Sequence, residues 1–322
     1  MLEGEYMNKK VVVLGGGTGL STLLKGLKLF PVNLSAIVSV CDDGKSTGRL
    51  RTEFNQVAVG DIRRVLVALS ETEEAFDDIL NYRFHTTSDL DGHTVGNILL
   101  TAASNIHGNM SKGIKSLSKV LNLKGDVIPF SEETGITLMG EMDDGSIVEG
   151  EHNITETNKK IKRVFYKKVP KVSPDALKAI KHADLIVLSM GSIYTSILPN
   201  LICKEVVDAI DNSKADIMYV CNIVTQPGET DDFKASDHIN LINDYLGQKK
   251  IKVGIFNKEE MDPVLVKKYE TEEQKDPVIL DKENIKDIEI IEDDLITSDE
   301  GVFRHDTTRL GFHIFEYLLR KK

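Results

Sequence analysis

The sequence lacks an excess of basic side chains. Its 322 residues include 40 lysines and arginines against 51 aspartates and glutamates, which gives a formal net charge of −11. An acidic protein lacks the positive surface that dominates affinity for nucleic acids and for anionic lipids. We therefore expect neither a nucleic acid nor a membrane surface as its partner.

Long hydrophobic runs are also missing. The apolar run at 11–14 ends at three glycines. It is too short for a signal-peptide core or for the roughly 18 apolar residues that a membrane span needs. We therefore predict no membrane insertion, and we interpret residues 1–6 as a leader outside the fold.

Cysteine is scarce. The chain contains three cysteines, Cys41, Cys203 and Cys221, which are far apart and form no CxxC pair. This spacing does not favour a zinc site or a disulfide framework. We expect a reducing, cytoplasmic compartment.

The remaining composition is that of a soluble globular protein, since 41% of the residues are hydrophobic. The length allows one large domain or two smaller ones at roughly 150 residues per domain. The chain has neither an internal repeat nor a low-complexity linker, which favours a single α/β domain over residues 7–322.

Hydrophobic periodicity in the first half predicts strand 10–14, helix 20–29 and strand 34–40, which is the start of a parallel sheet. A helical insertion is predicted at about 60–122. A β-rich insertion is predicted at about 134–168, where the sequence Asp-Asp-Gly at 143–145 is typical of a hairpin turn. We expect the sheet to become mixed there.

The second half returns to alternating strands and helices. The predicted strands are 125–130, 185–188, 217–220 and 251–256, and the predicted helices are 173–182, 197–210, 239–246 and 308–319. The acidic segment 270–294 is expected to carry short edge strands. It is either an oligomer contact or, as is more usual for a charge run, a solvated edge. The predicted fold is a modified Rossmann-like three-layer sandwich with a mostly parallel sheet.

The first chemical motif is a glycine loop between a strand and a helix, formed by Gly15, Gly16, Gly17, Thr18 and Gly19. Glycines let a ligand approach the backbone, and helix-start amides attract phosphate. The sequence does not match the dinucleotide-binding fingerprint, because Leu20 stands where the third glycine is required. It does not match the P-loop either, because Ser39 stands where the first glycine of that motif is required. We predict phosphate contact here. A dinucleotide-dependent oxidoreductase is disfavoured, although adventitious NAD binding stays open.

Acidic residues follow the second predicted strand. Asp42 and Asp43 lie where open α/β sheets bind ligands, and they are candidates for a ribose contact, a base or a shared Mg²⁺. The alternative is a solvated turn. Asp61 and His93, taken singly, are typical of a helix cap and a loop histidine.

Further polar clusters follow later strands. Gly191, Ser192, Tyr194 and Thr195 begin a hydroxyl-rich segment after strand 185–188, and they predict a second anion cradle. Another cluster contains Asn222 and Thr225, which could hydrogen-bond a base or sugar, and Arg304 could place a cation on a phosphate.

As a set, these motifs resemble the CofD/YvcK family. The segments that carry the resemblance are Gly-Gly-Gly-Thr-Gly at 15–19, Asp-Asp-Gly at 42–44, Gly-Asp-Ile-Arg at 60–63, His-Thr-Val-Gly-Asn at 93–97, the segment 191–200 and the segment 222–230. The resemblance covers residues 11 to about 310 in the family's order.

The resemblance implies one of two functions. The CofD arm is a Mg²⁺-dependent transferase that moves a phospholactyl group onto a deazaflavin, and Asp42, Asp43 and Asp61 would then be the candidate catalytic residues. The YvcK arm is implied to bind UDP-sugars such as UDP-N-acetylglucosamine and to support cell shape and envelope synthesis on gluconeogenic carbon. The segments 226–230 and 304–306 resemble the YvcK arm and make it our leading interpretation.

The resemblance also implies residue roles. Gly16 to Gly19, Ser192, Tyr194 and Thr195 would hold phosphates, and Asp42, Asn97 and Asn222 would orient the nucleoside or sugar. Tyr269 and Arg304 would reach the ligand from the C-terminal region. Thr307 is the candidate site for a Ser/Thr kinase, and we expect a homo-oligomer.

Overall fold

The computed structural model describes residues 9–72, 74–157, 159–299 and 302–321, so the predicted leader lies outside the described residues. The strands in chain order are β1 Lys10–Gly15, β2 Asn33–Val38, β3 Asp126–Pro129, β4 Leu138–Met142, β5 Ile147–Glu149, β6 Ile161–Tyr166, β7 Leu185–Leu188, β8 Asp216–Val220, β9 Ile251–Asn257, β10 Glu289–Asp293, β11 Ile296–Asp299 and β12 Val302–His305.

The helices alternate with these strands over most of the chain. They are α1 Gly17–Leu27, α2 Lys45–Phe54, α3 Gly60–Leu69, α4 Glu74–Asn81, α5 Val95–His107, α6 Met110–Val120, α7 Glu151–Glu156, α8 Pro174–Lys181, α9 Leu198–Leu201, α10 Lys204–Asp211, α11 Ala235–Tyr245, α12 Pro263–Lys268 and α13 Thr307–Arg320. A π-helical turn at Ile193–Ile197 precedes α9, and another at Tyr269–Glu273 follows α12.

The described part of the main sheet has seven strands in the order β10-β9-β8-β7-β1-β2-β3, and each neighbouring pair is parallel. Its central strands are apolar runs buried on both faces, as parallel sheets require. Helix α1 packs against α3 and α13, and α8 packs against α10. The predicted α/β class with a mostly parallel sheet is confirmed.

The antiparallel strands do not join the main sheet. They form a separate sheet in the order β5-β4-β6, with the predicted hairpin between β4 and β5. The prediction that the main sheet becomes mixed is therefore wrong. The burial of β4 alternates along the strand, which suits a sheet with one covered face rather than the doubly covered main sheet.

The predicted helix 197–210 is also wrong as a single element. The chain forms the π-helical turn and the short α9, and then Cys203 is extended before α10 begins. A hairpin of β11 and β12 lies beyond the acidic segment and was not predicted, whereas β10 confirms an edge strand within that segment.

The strand order places a crevice beyond β1 and β7. The chain moves from β1 outward to β2 and β3 and later returns to the other side of β1 with β7, so the two connections diverge at this point. Open α/β sheets bind ligands at such a switch point, beyond the carboxyl ends of the strands. In the part of the chain that is described, no helix is long and apolar enough to cross a membrane.

Candidate functional site

The glycine loop joins β1 to α1 at this crevice. Gly16 is the N-cap of α1 and has no side chain to satisfy the first amides of the helix, and Gly17 has a φ of +61°. Free amides at a helix start and the positive end of the helix dipole favour an anion. The loop is therefore suited to the predicted phosphate contact.

Two of the glycines have a packing role as well. A Cβ on Gly15 would lie 2.1 Å from the Ser189 hydroxyl oxygen, and a Cβ on Gly19 would lie 1.4 Å from the Met190 carbonyl oxygen. The loops after β1 and β7 thus touch through positions that only glycine fits. Part of the glycine pattern reflects this contact rather than the ligand.

A group of carboxyls faces the start of α1. Burial and the neighbouring charge of Asp42 together raise the pKa of the Asp61 carboxyl to about 6, although Arg64 donates to Asp61 over 2.7 Å. A Cβ on Gly16 would lie 2.8 Å from Asp61 Oδ2, so this carboxyl borders the glycine loop directly. The helix-cap interpretation of Asp61 is wrong, because Val59 is the N-cap of α3 and Asp61 lies in its first turn, facing the glycine loop.

Glu151 is a member of this group that the sequence analysis missed. Burial raises the pKa of its carboxyl to about 8, and the charges of Asp42 and Asp61 contribute to the shift. The nearby Thr195 side chain opposes part of this rise in the pKa of Glu151. Nothing local in the sequence marks Glu151, because it is brought to the site by the separate three-stranded sheet.

Asp42 and Asp43 point to different partners. Asp42 accepts hydrogen bonds from the Gly44 amide at 2.9 Å and from the Thr47 hydroxyl at 2.9 Å, whereas Asp43 accepts from the His152 amide at 2.8 Å. Among the residues that the structure describes, no three or more His, Cys, Asp or Glu side chains are grouped so as to hold a metal ion. The charge of Asp42 acts on Asp61 and Glu151. Asp43 instead accepts from an amide at the start of α7.

The hydroxyl-rich segment after β7 is organised around a buried acid. The Ser192 hydroxyl donates to Glu229 and accepts from the Thr195 amide at 2.9 Å and from the Thr195 hydroxyl at 2.8 Å. Burial raises the pKa of the Glu229 carboxyl to about 7. From the sequence, Glu229 is only one residue of the segment 222–230. In the structure it accepts the hydrogen bond of Ser192.

Two predicted ligand residues, Asn222 and Tyr194, have structural roles in the loop after β7. Asn222 accepts a hydrogen bond from the Gly191 amide at 3.3 Å and donates to the Gly191 carbonyl at 2.9 Å, so it holds the loop after β7 to the loop after β8. Tyr194 is buried, and burial raises the pKa of its phenol to about 12. Both residues shape the loop that carries Ser192.

Asn97 lies in a polar cluster on the other side of α2. Its side-chain amide donates to the Ser46 hydroxyl at 3.1 Å, and Ser46 also hydrogen-bonds His93 Nδ1 at 2.9 Å. The neighbouring Thr47 contacts Asp42. Asn97 and His93 are therefore linked to the Asp42 carboxyl through Ser46 and Thr47 in the first turn of α2.

Thr225 lies after β8, where it is buried and its hydroxyl accepts from the Asp276 amide.

The C-terminal candidates lie around β12. The Tyr269 hydroxyl accepts from the Phe303 amide at 3.0 Å. Arg304 is exposed on β12, and the next residue, His305, hydrogen-bonds the Cys221 carbonyl beside Asn222. This bond docks the strand that carries Arg304 at the end of β8. Thr307 begins α13.

The sheet order and the glycine loop at the switch point define a Rossmann-like α/β protein whose candidate site lies at the carboxyl ends of β1, β2 and β7. The family model described as 2-phospho-L-lactate transferase CofD matches residues 11–296. The chain belongs to the CofD family.

Its relatives include proteins named gluconeogenesis factor. The one from Halalkalibacterium halodurans is 44% identical over 96% of each chain, and the one from Bacillus subtilis is 41% identical over 96% of this chain and 98% of the relative. A crystal structure of a UPF0052 family member from Bacillus halodurans has a TM-score of 0.90 and 44% identity, covering 95% of this chain and 99% of that one.

Proposed function

We propose that this chain is a cytoplasmic regulatory protein that binds a nucleotide sugar of the UDP-N-acetylglucosamine type and supports cell shape and envelope synthesis during gluconeogenic growth. The observation that carries the proposal is the start of α1 at the switch point, where the N-cap residue Gly16 contributes no side-chain cap to the first helical amides, although the Gly17 amide donates to Asp61. A diphosphate would be stabilised by these amides and by the helix dipole.

A second uncapped helix start supports the same site. Helix α2 begins after Gly44, six residues beyond the end of β2. Gly44 contributes no capping side chain and the first turn carries no acidic residue, although Asp42 accepts from the Gly44 amide. The helix starts of α1 and α2 thus follow neighbouring strands of the sheet. Two neighbouring sources of amide donors suit the two phosphates of a nucleoside diphosphate better than a single phosphate.

Glu151 and Glu229 add polar groups of reduced charge to the candidate pocket. With pKa values of about 8 for Glu151 and about 7 for Glu229, these carboxyls hold a proton for much of the time near neutral pH. A protonated carboxyl does not repel a diphosphate, and it can donate a hydrogen bond. Such groups suit the hydroxyl and amide groups of a sugar.

Binding is tested by calorimetric titration with UDP-N-acetylglucosamine, GDP and NAD, with and without Mg²⁺. We expect intact UDP-N-acetylglucosamine to bind, and we expect Arg304→Ala to weaken binding roughly tenfold to a hundredfold because an ionic hydrogen bond to a phosphate is lost. The control is Arg320→Ala, which removes an exposed arginine from the far end of α13. Equal losses in both variants would contradict a specific contact of Arg304.

The alternative is a transferase of phosphorus-containing groups. It is favoured by Asp42 and Asp61, whose charges act on Glu151. Since the described residues offer no group of three metal ligands, a Mg²⁺ would be shared between a carboxylate and the phosphates. In that case Asp42 would hold the ion together with the ligand, and Asp61 would act as a base. Mg²⁺-dependent GDP binding without UDP-sugar binding, or a changed ligand mass after incubation, would replace the regulatory proposal with this one.

We also propose phosphorylation of Thr307 as a control on binding. A phosphate on Thr307 would add about −1.5 to −2 charge between Arg304 and Arg309 in the sequence. It would pair with the guanidinium of Arg304, which the proposed ligand also needs. Thr307→Glu is expected to lower UDP-sugar affinity several-fold. The control is Thr308→Glu, which places the same charge on the neighbouring exposed residue; an equal effect of both would count against a role for position 307.

A further inference from the structure

A small cavity lies between the C-terminal ends of α2 and α5 and the start of α6. Its volume is about 190 Å³. Buried residues such as Gln56 and Ser104 line it, together with exposed residues such as Asn105 and Asn109. Helix α2 begins at the candidate site and ends at this cavity, so about 15 Å of helix separates the two.

The volume of the cavity limits what it can hold. Sites for drug-sized ligands begin at roughly 300 Å³, so a nucleotide sugar is too large for this one. At a liquid share of about 30 Å³ per water molecule, the cavity has the volume of about six waters. This volume suits a single sugar ring or a smaller polyol.

Charge is nearly absent from the lining. Among the described residues that line the cavity, none is lysine, arginine or histidine, and the single acid is Glu132. Its two carboxylate oxygens accept from the Met110 amide at 3.2 Å and from the Ser111 amide at 2.8 Å, at the start of α6. The positive end of a helix dipole stabilises a carboxylate there. An anionic ligand would find no cation, and a cationic one would compete with these amides, so the cavity favours an uncharged ligand.

Side-chain amides in the lining keep polar atoms available. Gln56 donates to the Thr101 hydroxyl at 2.7 Å, but its Oε1 is buried and has no partner within the described ranges. Asn105 donates to the Thr101 carbonyl at 3.0 Å, and Asn109 accepts from the Lys112 amide at 2.9 Å. These bonds use the amide nitrogen of Asn105 and the oxygen of Asn109. An acceptor on Asn105 and a donor on Asn109 remain.

An aromatic side chain completes the lining. Phe54 is the last residue of α2, lines the cavity and is 44% exposed. The next residue, Asn55, has a φ of +47°, which ends the helix and turns the chain along the cavity. An aromatic ring offers an apolar surface to C–H groups. Amides together with an aromatic ring suit a sugar, which carries hydroxyls at its edge and C–H groups on its faces.

We propose that this cavity is a second ligand site that binds a small uncharged polyhydroxyl compound of the monosaccharide class. A hydroxyl group both donates and accepts, so it matches the mixture of acceptors at Gln56 and Asn105 and a donor at Asn109. A buried acceptor without a partner is destabilising, which favours a polar group beside Gln56. Binding here does not depend on the nucleotide-sugar function proposed above, because none of the candidate-site residues lines the cavity.

Ligand-observed NMR titration of the full chain with glucose, myo-inositol and glucose 6-phosphate tests the proposal. We expect roughly millimolar dissociation constants for the two neutral compounds, the scale set by ligands of about twelve non-hydrogen atoms. Glucose 6-phosphate should bind at least about tenfold more weakly, because its phosphate would meet Glu132 and no cation. Equal or tighter binding of glucose 6-phosphate would contradict an uncharged site.

The variant Asn105→Leu is expected to weaken glucose binding about tenfold or more, because it removes an acceptor from the lining. The matched control is Asn212→Leu on the C-cap of α10. Asn212 is also exposed and also donates to the carbonyl four residues earlier, at 2.7 Å, but it lies outside the cavity. Equal losses in the two variants would overturn the proposal.

A second pair of variants keeps the test decisive if Asn105→Leu is poorly folded. Phe54→Ala should weaken glucose binding several-fold, whereas Leu29→Ala, which removes an apolar side chain that is 64% exposed elsewhere, should not. Absence of binding of both neutral compounds up to roughly 50 mM would mean that water alone fills the cavity. Displacement of glucose by UDP-N-acetylglucosamine would place the sugar in the candidate site instead. Either result would overturn the proposal.

Discussion

Replacing Glu151 by glutamine is expected to raise the free energy of unfolding at pH 9 by up to about 5 kcal/mol and to change it little near pH 4. Burial raises the pKa of Glu151 to about 8 in the folded chain, whereas the unfolded value is about 4.3. The stability that this group contributes is fully present below the unfolded pKa and is lost as the pH rises through the folded pKa. Glutamine remains neutral and avoids this loss.

Urea unfolding at pH 4, 7 and 9 measures the difference between the variant and the unsubstituted chain. The control is Glu156→Gln, an exposed residue of the same helix, which should give no such pH-dependent difference. A constant difference between Glu151→Gln and the unsubstituted chain at all three pH values would show that the pKa of Glu151 is not raised in the folded protein.

Replacing Gly26 by alanine is expected to lower the free energy of unfolding by about 3 kcal/mol. The new Cβ would lie 1.7 Å from the Thr307 carbonyl oxygen, where α1 and α13 cross, and a backbone atom cannot rotate away as a side chain can. The sign is informative because alanine ordinarily stabilises a helix relative to glycine by about 1 kcal/mol.

Thermal or urea unfolding checks this prediction against Lys25→Ala, which changes the preceding, exposed residue of α1. We expect Lys25→Ala to stay close to the unsubstituted chain. If Gly26→Ala were more stable than the unsubstituted chain, the two helices would have to be further apart than the structure places them.

The fold was largely predictable because its central strands are continuous apolar runs and its helices have apolar residues at helical spacing. Helix α2 was missed because Gly48 and a run of polar residues weaken its apolar pattern, and only Ser46, Thr47 and Leu50 are buried. The mixed sheet was predicted wrongly because local periodicity identifies a strand but does not say which sheet it joins.

The candidate site was predictable only where one segment carries it. The glycine loop and Asp42 could be found because each lies directly after an apolar run. Asp42 and Asp43 are adjacent, yet Asp42 bonds the start of α2 and Asp43 bonds the start of α7, which the motif alone does not reveal. Glu151 and Glu229 could not be found, since their pKa values depend on burial by distant segments.

The ties between the loops after β1, β7 and β8 restrict how this site can evolve. Gly19 touches the Met190 carbonyl, and the Asn222 side chain hydrogen-bonds both the amide and the carbonyl of Gly191. The backbone of each loop therefore packs closely against the next loop. Side chains at exposed positions can be exchanged freely. Inserting or deleting one residue in any of the three loops would displace the other two, so ligand preference is expected to diversify through substitution while loop lengths stay fixed.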